Sequence, residues 1–511
     1  MLEGLALGFA EVFTLQNIIA ILIGTIVGIM IGALPGLGPT VGLTLLLPVT
    51  FGMDPTTGLI LLTSLYMSAE YGGSVSAILL NTPGTAAAIA TSLDGNALAK
   101  KGFPGKALGV SLTASTIGGI LSVICLICFS MPLVKVALKF GPPEYFALGV
   151  FGLSLVATLS GKNVAKGILM ASIGLLLTTI GIDPVSGSSR FTFGLVALYD
   201  GIPLIPTLLG LYAIAEVLFM AEGLYKDAQR RKGIQKSVSS SFLNGKEIKK
   251  ILPTTLRGGI IGTLIGVIPG AGGSIACWVA YDQEQRLVKD KSQFGKGDMR
   301  GIAAPESANN ATVGGAMIPL MTLGIPGSPT TAVLLGALML HGIMPGPDLF
   351  SHEPGIVYGV FVGLLVTCIA MFAVGFALSK VWSLTLNVHP AVLAPIILAL
   401  CMIGAYSSRN LMLDVFLAFG FGILGYVFKK FEYPVAPLVL ALVLGEIMES
   451  NMRRSLLMSN NDFSIFLTRP ISAVLLIVAL LFFFFPILQD YRAKQKAKKL
   501  TDETIKENKE S

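Results

Sequence analysis

Stretches such as Val357 to Leu378, Leu411 to Phe428 and Ile471 to Leu488 are almost entirely apolar. Each approaches the roughly 20 residues that a helix needs to cross the hydrocarbon core of a bilayer. No other feature constrains the fold as strongly, because in lipid every backbone N–H and C=O must be satisfied within the protein, which leaves helices or a closed barrel. Barrel strands would alternate apolar and polar residues over about ten positions. These runs, like Ala147 to Leu159 and Val196 to Met220, do not alternate, and Gly, Pro or charged patches separate them. The sequence therefore predicts an all-α polytopic membrane protein of roughly 10–14 membrane segments, some of them broken or re-entrant. Its charged fraction of 13% is about half that of soluble domains. The segment from Ile18 lacks a basic leader region and a small-residue cleavage site, so it reads as a retained span.

Charge lies between the runs. Lys226 to Arg257 holds nine basic and two acidic residues, and the tail from Gln489 holds seven basic and five acidic. Both are expected in the cytoplasm, facing anionic lipids. Nucleic acid is excluded as a partner, since no basic groove or aromatic platform accompanies the charge. Cys125, Cys128, Cys277, Cys368 and Cys401 sit in apolar surroundings and read as buried structural thiols. His341, His352 and His389 are too scattered to form a metal site.

Features recur in the same order in both halves. Pro35-Gly36-Leu37-Gly38 is matched by Pro269-Gly270-Ala271-Gly272, and Pro83-Gly84-Thr85 by Pro326-Gly327-Ser328. The "GKN" at 161–163 is matched by the "SRN" at 408–410, and the surroundings of Glu216 by those of Glu446. The expected organisation is a first repeat at 1–225, a basic cytoplasmic linker at 226–253 and a second repeat at 254–450. A further membrane helix at 451–490 and a cytoplasmic tail at 491–511 complete it. Lys162 and Lys166 prefer the cytoplasm and leave "GIDPVSGSSR" outside, whereas the matching turn in the second half carries Lys429 and Lys430. The repeats are then inverted. Arg453 and Arg454 run against this scheme, which places them outside.

Pro-Gly ends a helix within the bilayer, where exposed backbone is tolerated only against protein or a water-filled cavity. Freed amides at such a break suit an anion, and freed carbonyls suit a cation. The candidate solute-binding residues are Asn81, Thr82, Pro83, Gly84 and Thr85 in one break and Pro326, Gly327, Ser328, Thr330 and Thr331 in the other. Asn309 and Asn310 join them, because an uncharged amide serves either a cation or a carboxylate. The candidate cation-binding residues are Gly36, Leu37, Gly38 and Pro39 with Gly270, Ala271, Gly272 and Gly273. Glu70 and Glu306 lie near the breaks, and Asp54 reads as a helix cap. The apolar spans offer almost no Arg or Lys to hold a polyanion, which makes co-bound cations attractive, sodium first and protons second. No nucleophile-base set, metal cluster or nucleotide motif is present, so no enzyme, catalytic residue or cofactor is expected.

These motifs, "GALPGLGPTVGLTLLLP", "YGGSVSAILLNTPGTAAAIAT", "GVIPGAGG", "APESANNATVGGAMIPLMTLGIPGSPTTAVLLGA" and "GIMPGP", resemble the large membrane subunit of the tripartite tricarboxylate transporters, the TctA family. The resemblance implies a multi-pass protein of the bacterial inner membrane that takes up citrate or related carboxylates on an ion gradient. It also implies two partners, a small four-helix-type membrane subunit (TctB-like) and a periplasmic solute-binding protein (TctC-like), and a homodimer is compatible with it. An ion channel, or a transporter of an unrelated small solute, is the alternative that the residues alone leave open.

Overall fold

The computed structural model describes residues 2–34, 36–154, 163–183, 186–226, 243–268, 270, 272–288, 291–378 and 390–484. Helices α1 (Leu2–Val12), α2 (Leu15–Ala33), α3 (Gly38–Leu46), α4 (Pro55–Leu80), α5 (Ala88–Lys100) and α6 (Pro104–Ala137) come first. Then follow α7 (Pro142–Ser154), α8 (Val164–Thr178) and α9 (Leu204–Leu208), the last running through a π-helical turn at Leu209–Ile214 into α10 (Ala215–Lys226). The second half holds α11 (Gly245–Val267), α12 (Gly272–Leu287), α13 (Met299–Leu323), α14 (Pro329–Leu340) and α15 (Pro347–His352). After these come α16 (Pro354–Ala377), α17 (Pro390–Arg409), α18 (Met412–Lys430) and α19 (Val435–Met458). Among the described residues the only strands are the two-residue pair Gly181–Ile182 and Ser189–Arg190. Among the described residues seven helices are long and apolar enough to cross a membrane, and the chain is an all-α, multi-pass membrane protein.

Two expectations shift at their edges. The apolar run from Val196 becomes helical in earnest only at Leu204, after a short 3-10 turn at Val196–Leu198. The basic insert is partly helix: Asn244 and Glu247 form a reciprocal capping box that starts α11, so Gly245 to Arg257 is ordered helix. Asp54 caps α4 as expected, accepting from the amides of Thr56 at 2.9 Å and Thr57 at 3.3 Å.

The packing divides the chain into two units, Met1–Lys139 with Pro203–Lys430, and Phe140–Ile202 with Phe431–Ser511. The second unit joins α7 and α8 to α19, with Gly149 against Met448 and Gly174 against Leu438. In it Arg453 pairs with both Asp183 and Glu449, and Arg190 with the same two carboxylates. The positive charge at Arg453 that ran against the orientation scheme is thus neutralised locally.

All candidate site residues belong to the first unit. Gly24, Gly28 and Gly32 seat α2 on Leu61, Leu65 and Ala69 of α4 in turn, so the two helices run parallel. The intervening α3 must then return, and α2 with α3 forms a hairpin whose described tip residues are Leu34, Gly36 and Leu37. Gly258, Gly262 and Gly266 seat α11 on Ala304, Ala308 and Thr312 of α13 in the same way, which makes α11 and α12 a second hairpin. The longest buried helices, α4 and α13, run antiparallel: Asn310 donates to the Met67 carbonyl at 2.9 Å and Asn309 to the Glu70 carbonyl at 3.1 Å. Both are buried on all sides, which is why they carry Ser, Thr, Asn and Glu where a lipid-facing helix would carry Leu.

Candidate solute and cation site

Asn81 ends α4 in the left-handed conformation, φ 57°. The chain then folds back, with the Gly84 amide donating to the Gly73 carbonyl at 3.1 Å. Gly84 is pressed between the end of α2 and α4: a Cβ there would land on the Gly32 carbonyl oxygen and 3.0 Å from the Gly73 Cα. Asn81 and Thr82 are exposed, Pro83 is half-buried, and Thr85 is buried against Gly73.

The second break begins at Gly324, φ 70°. Pro326 and Gly327 are buried, and the Gly327 carbonyl accepts from the Gly270 amide at 2.8 Å, tying this break to the tip of its own hairpin. Ser328 and Thr331 cap α14 reciprocally, so both hydroxyls are already engaged. The Ser328 side chain also lies beside the buried Tyr66 hydroxyl. Thr330 shares a 2.8 Å hydrogen bond with Thr40, at the start of α3 in the other half. Conversely, Ala87 and Ala90 beside the first break cluster with Cys277 of α12. Each break thus meets the hairpin of the opposite half. No hydrogen bond among the described residues links Asn81–Thr85 directly to Pro326–Thr331.

At the α4–α13 crossing, Asn309 and Asn310 are fully buried. Their Nδ2 groups are used on Glu70 and Met67, and both Oδ1 atoms lack a partner. The Glu70 carboxyl lies against the Asn309 side chain. One turn before Asn309, Glu306 is fully buried and accepts from Thr91 at 2.5 Å, Ser111 at 2.7 Å and Ser115 at 3.1 Å. Among the described residues neither carboxylate forms an ion pair. These hydroxyls were not singled out from the sequence; the i, i+4 spacing of Ser111 and Ser115 on an apolar helix was the available signal. Asp94 was also missed: fully buried, it accepts from Tyr281 and from the amides of Gly295, Gly297 and Asp298, joining α5 to the loop before α13.

The hairpin tips differ. Gly36 and Gly38 adopt positive φ, 94° and 56°, as do Gly270 and Gly272 at 82° and 65°, a conformation that explains glycine there. Leu37 and Pro39 are buried. Gly36 faces the Glu216 carboxylate, which pairs with Lys429. Gly273 faces the unpartnered Asn309 Oδ1. Pro35, Pro269 and Ala271 lie outside the described residues. The described surroundings of both breaks are rich in oxygen acceptors and poor in positive charge.

A family model, the tripartite tricarboxylate transporter TctA family, matches residues 18–440. The chain is 37% identical over 495 residues to "52.8 kDa protein in TAR-I ttuC' 3'region" of Agrobacterium vitis, covering 97% of this chain and 98% of that protein. A second Agrobacterium vitis protein, "in TAR-II ttuC' 3'region", is 37% identical over 234 residues, covering 46% of this chain and 97% of that protein. No solved structure matches.

Proposed function

The chain belongs to the tripartite tricarboxylate transporter TctA family, and from that premise we propose that it is the large membrane subunit of a secondary importer of citrate or a related di- or tricarboxylate, driven by sodium. Its partners on this reading are a TctB-like membrane subunit and a TctC-like periplasmic binding protein, and its place is the bacterial inner membrane.

One observation carries the transport mechanism. Asn310 bonds Met67 across antiparallel helices, and these two positions are separated by 310 − 67 = 243 residues. The ends of the same helices, Asn81 and Gly324, are separated by 324 − 81 = 243. The helices therefore cross at equivalent positions, which supports inverted repeats related by an axis through the crossing. Such repeats place a solute at their interface and expose it to each side in turn by rocking against each other. The solute carboxylates lie at the two breaks, held by amides and by hydroxyls not consumed in capping, with the exposed Asn81 and Thr82 nearest to free and Thr330 engaged with Thr40. Sodium offsets the negative charge that the missing Arg and Lys leave uncompensated.

The test is uptake of labelled di- and tricarboxylates into proteoliposomes, with binding protein present or omitted and with sodium and proton gradients imposed separately. Saturable uptake that requires the binding protein and follows the sodium gradient is expected. Passive electrogenic flux without a solute requirement would instead identify a channel.

A further inference from the structure

Among the described residues, the second hairpin tip has a buried, unsatisfied acceptor aimed at it, and no such acceptor is seen at the first. Asn309 Oδ1 has no partner, and it would lie 2.8 Å from a Cβ on Gly273, with Thr312 Oγ1 3.4 Å from the same point. The amide orientation is fixed, because Nδ2 donates to the Glu70 carbonyl and a flip would set oxygen against oxygen. Thr312 gives its hydrogen to the Asn309 carbonyl at 2.7 Å, so its lone pairs remain available towards Gly273. Two acidic groups set the local field. The Glu70 carboxyl lies against the Asn309 side chain, and the Cys277 thiol of α12 donates to the Pro305 carbonyl at 3.2 Å, next to Glu306. Neither carboxylate has a basic partner among the described residues. A buried acceptor without a donor is costly, and uncompensated charge inside a membrane protein costs more.

We propose that Asn309 Oδ1 and Thr312 Oγ1, with the backbone of Gly270, Gly272 and Gly273 at the hairpin tip and the carboxyl of Glu70, form a single site for a monovalent alkali cation. The donor set is oxygen only and mostly neutral. Zinc and other transition metals would call for His or Cys, and a divalent hard cation for several carboxylates. At the first hairpin the surroundings differ among the described residues: Gly36 faces Glu216, whose charge is already neutralised by Lys429. Gly273 is required as glycine, since a side chain would occupy the space beside Asn309.

This inference rests on the sodium-driven reading, and the test separates the two. Binding of radiolabelled sodium to the purified, monodisperse chain is measured without solute. Wild type is expected to bind saturably. Asn309→Ala and Thr312→Val should weaken binding roughly 10-fold or more, the cost of a lost contact to a charged partner. Asn309→Asp keeps the oxygen and should bind at least as well as wild type. Glu216→Gln, at the other tip, should leave binding unchanged. Wild-type affinity in Asn309→Ala overturns the site while leaving sodium coupling intact. Equal loss in Asn309→Ala and Asn309→Asp, both folded, assigns Asn309 to packing and also overturns it, as does loss in Glu216→Gln. Uptake by wild type that ignores sodium removes the coupling reading itself.

Discussion

Gly84 and Gly327 occupy matching places in the two breaks, yet alanine should affect them very differently. Neither has a positive φ, so the contrast is one of space alone. At Gly84 the new Cβ would land on the Gly32 carbonyl oxygen and 3.0 Å from the Gly73 Cα, both backbone atoms of tightly packed helices. At Gly327 the nearest atoms are the Gly266 oxygen at 3.3 Å and the Ala316 Cβ at 3.4 Å, which need move only slightly. Overpacking costs about 1–3 kcal/mol, and an obstacle made of backbone places Gly84→Ala towards the upper end. Gly327→Ala, buried but needing its neighbours to give only a few tenths of an ångström, should fall at the lower end, about 1 kcal/mol or less. Thermal unfolding of the purified variants in detergent should show Gly84→Ala melting several degrees below wild type and Gly327→Ala close to it. Equal midpoints for all three proteins would refute the packing argument. If Gly327→Ala melts normally but loses solute affinity, the methyl group is intruding on the solute and not on the fold.

Ser328→Ala should lower stability by about 0.5–2 kcal/mol without solute, because it removes an N-cap, and Ser328→Thr should recover most of it. Thr82→Ala, at an exposed position, should melt as wild type; a calorimetric loss of solute affinity there of about 1.5–3 kcal/mol would mark a direct contact. Glu306→Ala strips the shared acceptor from three buried hydroxyls and should destabilise more than Glu306→Gln, which retains an oxygen; equal melting of the two would dissolve the hydroxyl network as a stabilising element. With the native cysteines replaced, Ser239→Cys should react with a membrane-impermeant thiol reagent only from the cytoplasmic side, and labelling from outside would invert the orientation.

Local punctuation was legible in the sequence wherever a residue acts on its own neighbours. Asp54 announces the start of α4, and Asn-Thr-Pro-Gly and Gly-Ile-Pro-Gly announce where α4 and α13 end. The Asn244 and Glu247 pair equally marked the start of α11 and could have shortened the expected linker. The tertiary partners of Glu306 were not legible, because Thr91, Ser111 and Ser115 lie 191–215 residues away from it. Nor was the engagement of Ser328 and Thr331: hydroxyls beside a break serve a solute or the helix end equally well, and only geometry shows that here they close α14. The two hairpin tips look alike as Pro-Gly-x-Gly, but one meets Glu216 with Lys429 and the other Asn309, a difference set by remote side chains.

Secondary active import is tested most directly by accumulation. Proteoliposomes holding this chain with its membrane partner, supplied with loaded binding protein and an inward sodium gradient, should raise internal labelled carboxylate above the external concentration, and a sodium ionophore should collapse it. Carboxylate that merely equilibrates, at a rate and extent indifferent to the sodium gradient, would contradict the account.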